Sequence, residues 1–188
     1  MEWNRSNTIG LASESCCYCK GDGMRAVYED KQAPCNCVFR AAFRACYDRF
    51  REAVIAGEQP GNMGWEIIGG PGGRRMYSRR HEEYSADFTL IARRTLDDSD
   101  YRIFRIYYLL GADWRMAAKY FGMDRGSFWH AIYRIEQRLG RAYCETEPYP
   151  LFPLDEYFGW TVRKGVSIAL HPVKERKNKL KVPYRLSA

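Results

Sequence analysis

Four cysteines near the start of the chain have the residue type and spacing of metal ligands. Cys16 and Cys19 form a CxxC pair followed by Lys-Gly-Asp-Gly, and Cys35 and Cys37 form a second pair after Pro34. Four thiolates can close a tetrahedral site around Zn²⁺, which prefers soft sulfur, and a structural site of this kind leaves no position open for water. We therefore predict a structural zinc ion bound by Cys16, Cys19, Cys35 and Cys37.

Other cysteine chemistry fits the sequence less well. The chain has seven cysteines, an odd number, and clustering of this kind in a reducing compartment favours metal ligands over disulfides. A redox CxxC needs a strand-to-helix context, which the flanking residues do not supply. No histidine or carboxylate completes an HExxH or deaminase pattern, so we expect neither a catalytic zinc nor an enzyme. One alternative stays open within the zinc set, because Cys17 can replace a member of the first pair.

A second group of residues has chemistry suited to DNA. Residues 101–110 predict an apolar helix, and Ala117 and Ala118 belong to a second helical face. Gly122 tolerates a left-handed conformation, and Asp124 can cap the following helix through its carboxylate. Two helices are therefore predicted to meet at a sharp angle, as in a helix-turn-helix.

The helix after this turn separates apolar from polar side chains. Its predicted buried stripe consists of Phe128, Ile132, Ile135 and Leu139, spaced at i, i+4, i+7 and i+11. Its other side carries cationic, hydrogen-bonding and aromatic residues: Arg125, Ser127, Trp129, His130, Tyr133, Arg134 and Gln137. Helix-turn-helix proteins insert this end of the second helix into the major groove, so we predict that these side chains contact double-stranded DNA.

Residues 96–143 resemble the fourth-region DNA-binding domain of sigma factors and related response-regulator-like modules. That family has a long apolar helix, a glycine, an alanine-containing helix, a glycine turn with Ser or Asp, and then the reading helix. The resemblance implies DNA contact by Arg125, Ser127, Trp129, His130 and Arg134. Trp129 is a departure, because the family mostly places a polar or basic side chain at that point.

The knuckle at residues 16–23 is similar to the CxxCxGxG units of zinc-binding chaperone cofactors and of phage Q-type antitermination proteins. One such unit is present here. The similarity implies an alternative function, a phage-type antiterminator or regulator that binds RNA polymerase.

Composition narrows the class of partner. The formal net charge is +7 and the sequence pI is about 9.1, which favours a polyanion through phosphate neutralisation and counterion release. A basic charge and many aromatic residues suit RNA equally well, so a nonspecific RNA- or nucleic-acid-binding module is a further alternative. No apolar run approaches the roughly 20 residues of a membrane span, and the N-terminus lacks signal-peptide features. We expect no membrane partner and a cytoplasmic, nucleoid-associated location.

Basic residues outside the turn are candidate phosphate contacts. The apolar spacing after the second cysteine pair predicts a helix up to Gly57, with Cys46 in its core face. The candidates are Arg40, Arg44 and Arg51 on that helix, Arg74, Arg75, Arg79 and Arg80 in a Gly-rich loop, and Lys177, Lys179 and Lys181 in the tail. The alternative interpretations are a solvated basic face for the helix, an idle linker for the loop, and disorder in the free protein for the tail.

The sequence pattern predicts that a mainly α fold positions these residues. It also predicts short strands at residues 65–68 and 166–170. Residues 81–95 predict a helix with Tyr84, Phe88 and Ile91 on one side, and the acidic run 97–100 predicts a cap for the next helix. The organisation predicted is a zinc-knuckle and helix module over 1–57, a Gly/Arg-rich loop or linker over 58–80, a helix-turn-helix domain over 81–147, an extended packing segment over 148–173 and a basic tail over 174–188. The leading hypothesis is a sequence-specific DNA-binding transcription regulator, with a zinc or redox enzyme as the alternative from another class.

Overall fold

The computed structural model describes residues 3–28, 31–58 and 73–158. In these ranges the chain is mainly helical, as predicted, with a two-stranded sheet. The helices are α1 (Arg5–Thr8), α2 (Asn36–Glu58), α3 (Gly73–Thr95), α4 (Asp98–Phe104), α5 (Trp114–Tyr120), α6 (Arg125–Glu145) and α7 (Leu154–Phe158), and the strands are β1 (Met24–Tyr28) and β2 (Lys31–Pro34). A π-helical segment, Arg105–Leu109, continues α4. Among these helices, none has the length and apolar character needed to span a membrane.

A short hairpin connects the two cysteine pairs. β1 and β2 are antiparallel, with Met24 opposite Pro34. The chain leaves β2 directly into α2, and the Cys35 amide donates to the carbonyl oxygen of Gly23 at 2.9 Å. The base of the hairpin and the first turn of α2 are therefore held side by side.

Helices α2, α3 and α6 enclose the main apolar core. The Tyr143 ring of α6 lies 6.2 Å from Phe43 of α2 and 4.9 Å from Phe88 of α3, measured between ring centroids. At Gly140 the backbones of α6 and α2 nearly touch, because a Cβ there would lie 1.8 Å from the Phe39 carbonyl oxygen. Only glycine permits this approach, which sets the spacing between the two helices.

The helix preceding α5 begins at a cap and ends in a widened turn. The Asp97 carboxylate accepts a hydrogen bond from the Asp100 amide at 2.9 Å, which confirms the predicted cap. Beyond Phe104 the helix becomes π-helical, and the Tyr47 hydroxyl donates to the Tyr108 carbonyl oxygen at 2.9 Å. The apolar helix predicted over residues 101–110 is thus α-helical in its first part and π-helical in its second part, whose backbone also accepts a hydrogen bond from α2.

The turn between α5 and α6 has the predicted chemistry. Gly122 has a φ of 64°, in the left-handed region. The Asp124 carboxylate accepts the Ser127 amide at 3.0 Å and caps α6. The predicted stripe of Phe128, Ile132, Ile135 and Leu139 is at most 1% exposed.

The prediction of a loop or linker over residues 58–80 is wrong for residues 73–80. α3 begins at Gly73 and continues to Thr95. Residues 74–80 contain neither glycine nor proline, so a helix nucleated on the buried Tyr84 and Phe88 can propagate backwards through them. The predicted burial of Tyr84, Phe88 and Ile91 is confirmed.

The described part of the segment predicted over 148–173, which ends at Phe158, packs on the core but is helical rather than extended in its last residues. Leu151 is fully buried, and its amide donates to the Tyr143 carbonyl oxygen at 2.8 Å. The chain then forms α7, where Asp155 and Glu156 lie in the first turn and complement the helix dipole. Phe158 at the end of α7 is buried.

Some predictions fall outside the described residues. These are the strands at 65–68 and 166–170, the basic tail with Lys177, Lys179 and Lys181, and the side chains of Arg74, Arg75 and Arg79.

Candidate metal and nucleic-acid sites

The four predicted cysteine ligands come together in one cluster. The Sγ atoms of Cys16, Cys19, Cys35 and Cys37 all lie within 4.8 Å of one another. The Cys16–Cys35 Sγ separation is 3.6 Å and the Cys19–Cys37 separation is 3.4 Å. Tetrahedral ZnS₄ with Zn–S bonds of about 2.3 Å has sulfur–sulfur edges of about 3.8 Å. The cluster can therefore hold a metal ion with little adjustment, and the exposed Cys17 is not part of it.

Left-handed backbone shapes the first half of this cluster. Lys20, Gly21 and Gly23 have φ values of 47°, 91° and 82°. A Cβ on Gly23 would lie 2.7 Å from the Oγ1 of Thr8, which is fully buried. The Lys-Gly-Asp-Gly run thus turns the chain tightly after Cys19 and lets β1 start against α1.

The thiols of this cluster differ in how readily they lose a proton. A hydrogen bond from the Cys19 amide lowers the pKa of the Cys16 thiol to about 7. Burial raises the pKa of the Cys35 and Cys37 thiols. Four adjacent thiolates repel one another, so a divalent cation is the group that would keep all four deprotonated.

The structure separates the predicted DNA-contacting side chains into two groups. Arg125, Ser127, His130, Tyr133 and Arg134 are exposed, whereas Trp129 and Gln137 are half-buried. The Trp129 ring lies 6.2 Å from both Tyr107 and Trp114, measured between ring centroids. This indole therefore helps to hold α6 against α5 and the π-helical segment.

Arg134 and its neighbour Arg138 are engaged by an acidic pair. The guanidinium of Arg134 donates to both carboxylate oxygens of Asp100, at 2.6 and 3.0 Å. Arg138 donates to Asp100 at 3.1 Å and to Asp97 at 3.0 Å. Asp100 is fully buried, and a buried carboxylate needs such partners. The ion pair raises the pKa of Arg134.

A second buried acid joins α6 to α2. Glu136 is 6% exposed; it accepts from Arg40 at 2.7 Å, from Arg44 at 3.4 Å and from the Tyr108 hydroxyl at 2.9 Å. Burial and the Glu136 charge raise the pKa of Tyr108, so this hydroxyl remains a donor. The predicted phosphate contacts Arg40 and Arg44 therefore have an intramolecular anchor.

Further contacts fasten α2 along the α6 face. The Gln137 amide donates to Asn36 at 2.8 Å. The Arg40 guanidinium lies 4.0 Å above the centre of the Tyr133 ring, and Arg141 lies 4.7 Å from the centre of Phe39. The remaining predicted cations are elsewhere: Arg51 borders a cleft with Val54, and Arg80 donates to the Phe158 carbonyl oxygen.

The sequence pattern does not single out Asp100 and Glu136, the two acids that organise this surface. Asp100 lies in the predicted capping run, and its burial against Arg134 and Arg138 depends on residues more than thirty positions away. Glu136 carries a signal that could have found it, because it follows Ile132 by four residues and so falls on the predicted buried stripe.

Comparison of the chain with protein-family models, with curated proteins and with solved structures finds no match.

Proposed function

We propose that this chain is a sequence-specific DNA-binding transcription regulator that reads duplex DNA with the first half of α6, in the manner of a helix-turn-helix. One observation carries the proposal. From α5 through the middle of α6, residues 114–133, the cations are Arg115, Lys119 and Arg125, all exposed, and the acid is Asp124. The Asp124 carboxylate is occupied by the Ser127 hydroxyl at 2.6 Å and by the Ser127 amide. This segment thus has a net positive charge around the N-terminus of α6, as an anion-binding surface requires.

The side chains in the first half of α6 have separate roles in the proposal. The Arg125 guanidinium lies 5.5 Å from the centre of the Trp114 ring, which limits its motion while its donors face solvent. We propose that Arg125 contacts a phosphate or a guanine. His130 is exposed in the next turn and is assigned a base edge. Ser127 supports the Asp124 cap, and Arg134 pairs with Asp100. In the proposal neither side chain is central to base recognition.

Selection of bound fragments from random and genomic duplex DNA tests the proposal. Wild-type protein should enrich a motif. Arg125→Ala and His130→Ala should each lose enrichment, by about 1–3 kcal/mol for a base contact. Arg94→Ala is the matched control, because Arg94 is exposed on α3 and has no ion pair among the described residues.

Two results would count against this function. Binding without an enriched motif, or enrichment that survives both α6 substitutions, would contradict reading by α6. RNA-polymerase binding and nonspecific nucleic-acid binding would then be the favoured functions.

Zinc is the metal that we propose for the cysteine cluster. Its four ligands are all thiolates, the donor set that suits a tetrahedral, redox-inert ion in a closed site. Elemental analysis of the purified chain should give one zinc per chain, and the double variant Cys35→Ser, Cys37→Ser should carry none. Iron at this site, or no metal at all, would contradict the assignment.

A further inference from the structure

Arg40 and Arg44 of α2 and Tyr133 of α6 form a continuous surface, termed here the α2 basic edge. The reading face proposed above does not include the two arginines. We infer that the α2 basic edge binds backbone phosphates of the duplex that α6 contacts, and that it supplies affinity rather than sequence recognition. This inference rests on the proposed function.

Both guanidiniums contact one buried carboxylate, Arg40 closely and Arg44 at the limit of a hydrogen bond. The Glu136 side chain is 8% exposed, whereas those of Arg40 and Arg44 are 26% and 59% exposed. These two cations share the Glu136 carboxylate, and the exposed Asp48, one turn further along α2, interacts with Arg51 and Arg44. Three arginines therefore face two acids, which leaves an excess of one positive charge at the surface. Each guanidinium has five N–H donors, so most of them remain available after the bonds to Glu136. Arg40 is ordered by Glu136 and by the Tyr133 ring, so it loses less entropy when it binds.

The α2 basic edge is continuous with the reading face of α6. Tyr133 lies three residues after His130, a spacing that places the two side chains on the same side of a helix. Arg40 covers the Tyr133 ring at 4.0 Å. The Gln137–Asn36 bond and the close backbone approach at Gly140 hold α2 at this position. A helix inserted in the major groove is bordered by phosphates, and the α2 basic edge is at this border.

Two arginines on the opposite flank of α6 lack this excess charge. Arg134 and Arg138 face Asp100 and Asp97, so two cations meet two carboxylates. That part of the surface is electrostatically neutral and gains little from a phosphate. The α2 basic edge thus differs from the neighbouring basic residues in charge, although all are arginines in the sequence.

Salt dependence of DNA binding by the full chain tests the inference. Arg44→Ala is the informative change, since Glu136 keeps Arg40 and the Tyr108 hydroxyl as partners. One lost phosphate contact should lower the slope of log K against log salt by about 0.9 and weaken binding to every duplex equally. Arg44→Lys should retain the slope, and Arg94→Ala should leave both slope and affinity unchanged. Thermal melting of each variant shows whether its fold is intact; if Arg44→Ala lowers the melting temperature, the comparison of Arg44→Lys with Arg44→Gln replaces it.

The outcomes separate this inference from the proposed function. An unchanged slope for Arg44→Ala, with motif enrichment lost for Arg125→Ala, would overturn the α2 basic edge and leave the function standing. A lower slope for Arg44→Ala, with no effect of Arg125→Ala, would support phosphate binding by α2 and contradict reading by α6. Failure of the wild-type chain to bind any duplex would overturn both.

Discussion

Two buried carboxylates determine which arginines can meet a partner. Asp100 and Glu136 are at most 6% exposed, and removing a carboxylate from water is costly unless cations or hydrogen-bond donors surround it. Asp100 therefore engages Arg134 and Arg138, and Glu136 engages Arg40 and Arg44. At the first site Asp97 supplies a second carboxylate for the two arginines, so the charge is balanced. At the second site Asp48 interacts with Arg44 and with Arg51, so three arginines face two acids and the local charge is positive.

The cap of α6 makes stability depend on pH. Hydrogen bonds from the Ser127 hydroxyl and amide lower the pKa of Asp124. The unfolded chain, with an Asp pKa of about 3.9, then binds more protons than the folded chain at acidic pH. This contribution is complete above the unfolded pKa and is lost as the pH falls through the folded pKa. The same sign applies to Asp97, whose pKa is lowered by the Asp100 amide and by Arg138.

Substitution of Asp124 separates its capping role from its charge. Asp124→Ala should lower the melting temperature at pH 7 by a few degrees, because an amide of the first α6 turn loses its acceptor. Asp124→Asn keeps a side-chain oxygen and should stay close to wild type at pH 7, while losing less stability as the solution is acidified through the Asp range. Asp155→Asn, on an exposed carboxylate of α7, is the control. If the Asp124→Asn variant lost as much stability in acid as the wild type, the assignment would be contradicted.

At the scale of elements, α2 belongs to both apolar cores. Its first turns contribute Cys37 and Val38 to the small core around the cysteine cluster. Farther along, Phe43 and Cys46 enter the large core shared with α3 and α6. α2 lies at the end of the module predicted over residues 1–57, and its side chains pack directly on the helices of the domain predicted over 81–147.

Elements set by local chemistry were predictable from the sequence. The left-handed Gly122, the Asp124 cap and the stripe around Phe128 each depend on residues within a few positions of one another. The cysteine set was predictable for a related reason: each pair is local, and few side chains other than cysteine suit a metal so well.

Elements set by distant partners were not predictable. The π-helical segment receives a hydrogen bond from Tyr47, and α3 begins at Gly73 within a segment whose glycines indicated a loop. The partners of Arg134 and Arg40 are Asp100 and Glu136, each brought near by the fold and separated widely in sequence. A helical pattern identifies the exposed arginines, but it does not identify the carboxylates that neutralise them.

At the scale of the molecule, the two cores differ greatly in size. The small core has Cys19, Cys35 and Val38 as its buried members, with partly buried residues such as Trp3 and Leu11 around it. So little apolar surface cannot offset the entropy of ordering the hairpin. The large core contains a ring system built on Phe43, Phe88 and Tyr143 and needs no such support. A metal ion is thus expected to stabilise the first part of the chain far more than the second.

Removal of the metal should therefore unfold one part of the molecule selectively. After chelation, hydrogen exchange should show lost protection in β1 and β2 and retained protection in α3 and α6.

Thiol titration gives an independent count of the reactive cysteines. In the metal-loaded chain Cys17 should react rapidly, while the buried Cys46 and Cys144 stay unreactive. After chelation four more thiols should react, those of Cys16, Cys19, Cys35 and Cys37.

The same treatment tests how far the cluster supports α6. Cys35 and Cys37 flank Asn36, which bonds to Gln137, so a metal bound by these cysteines would hold the start of α2 against α6, the helix that we propose reads DNA. DNA affinity should fall on chelation and return when Zn²⁺ is added back. Chelation of the Cys35→Ser, Cys37→Ser variant is the control and should change nothing further. In the hydrogen-exchange experiment, uniform loss of protection across all helices would mean that the two cores fold as one cooperative unit. In the binding experiment, full DNA affinity of the metal-free chain would show that α6 needs no support from the cysteine cluster.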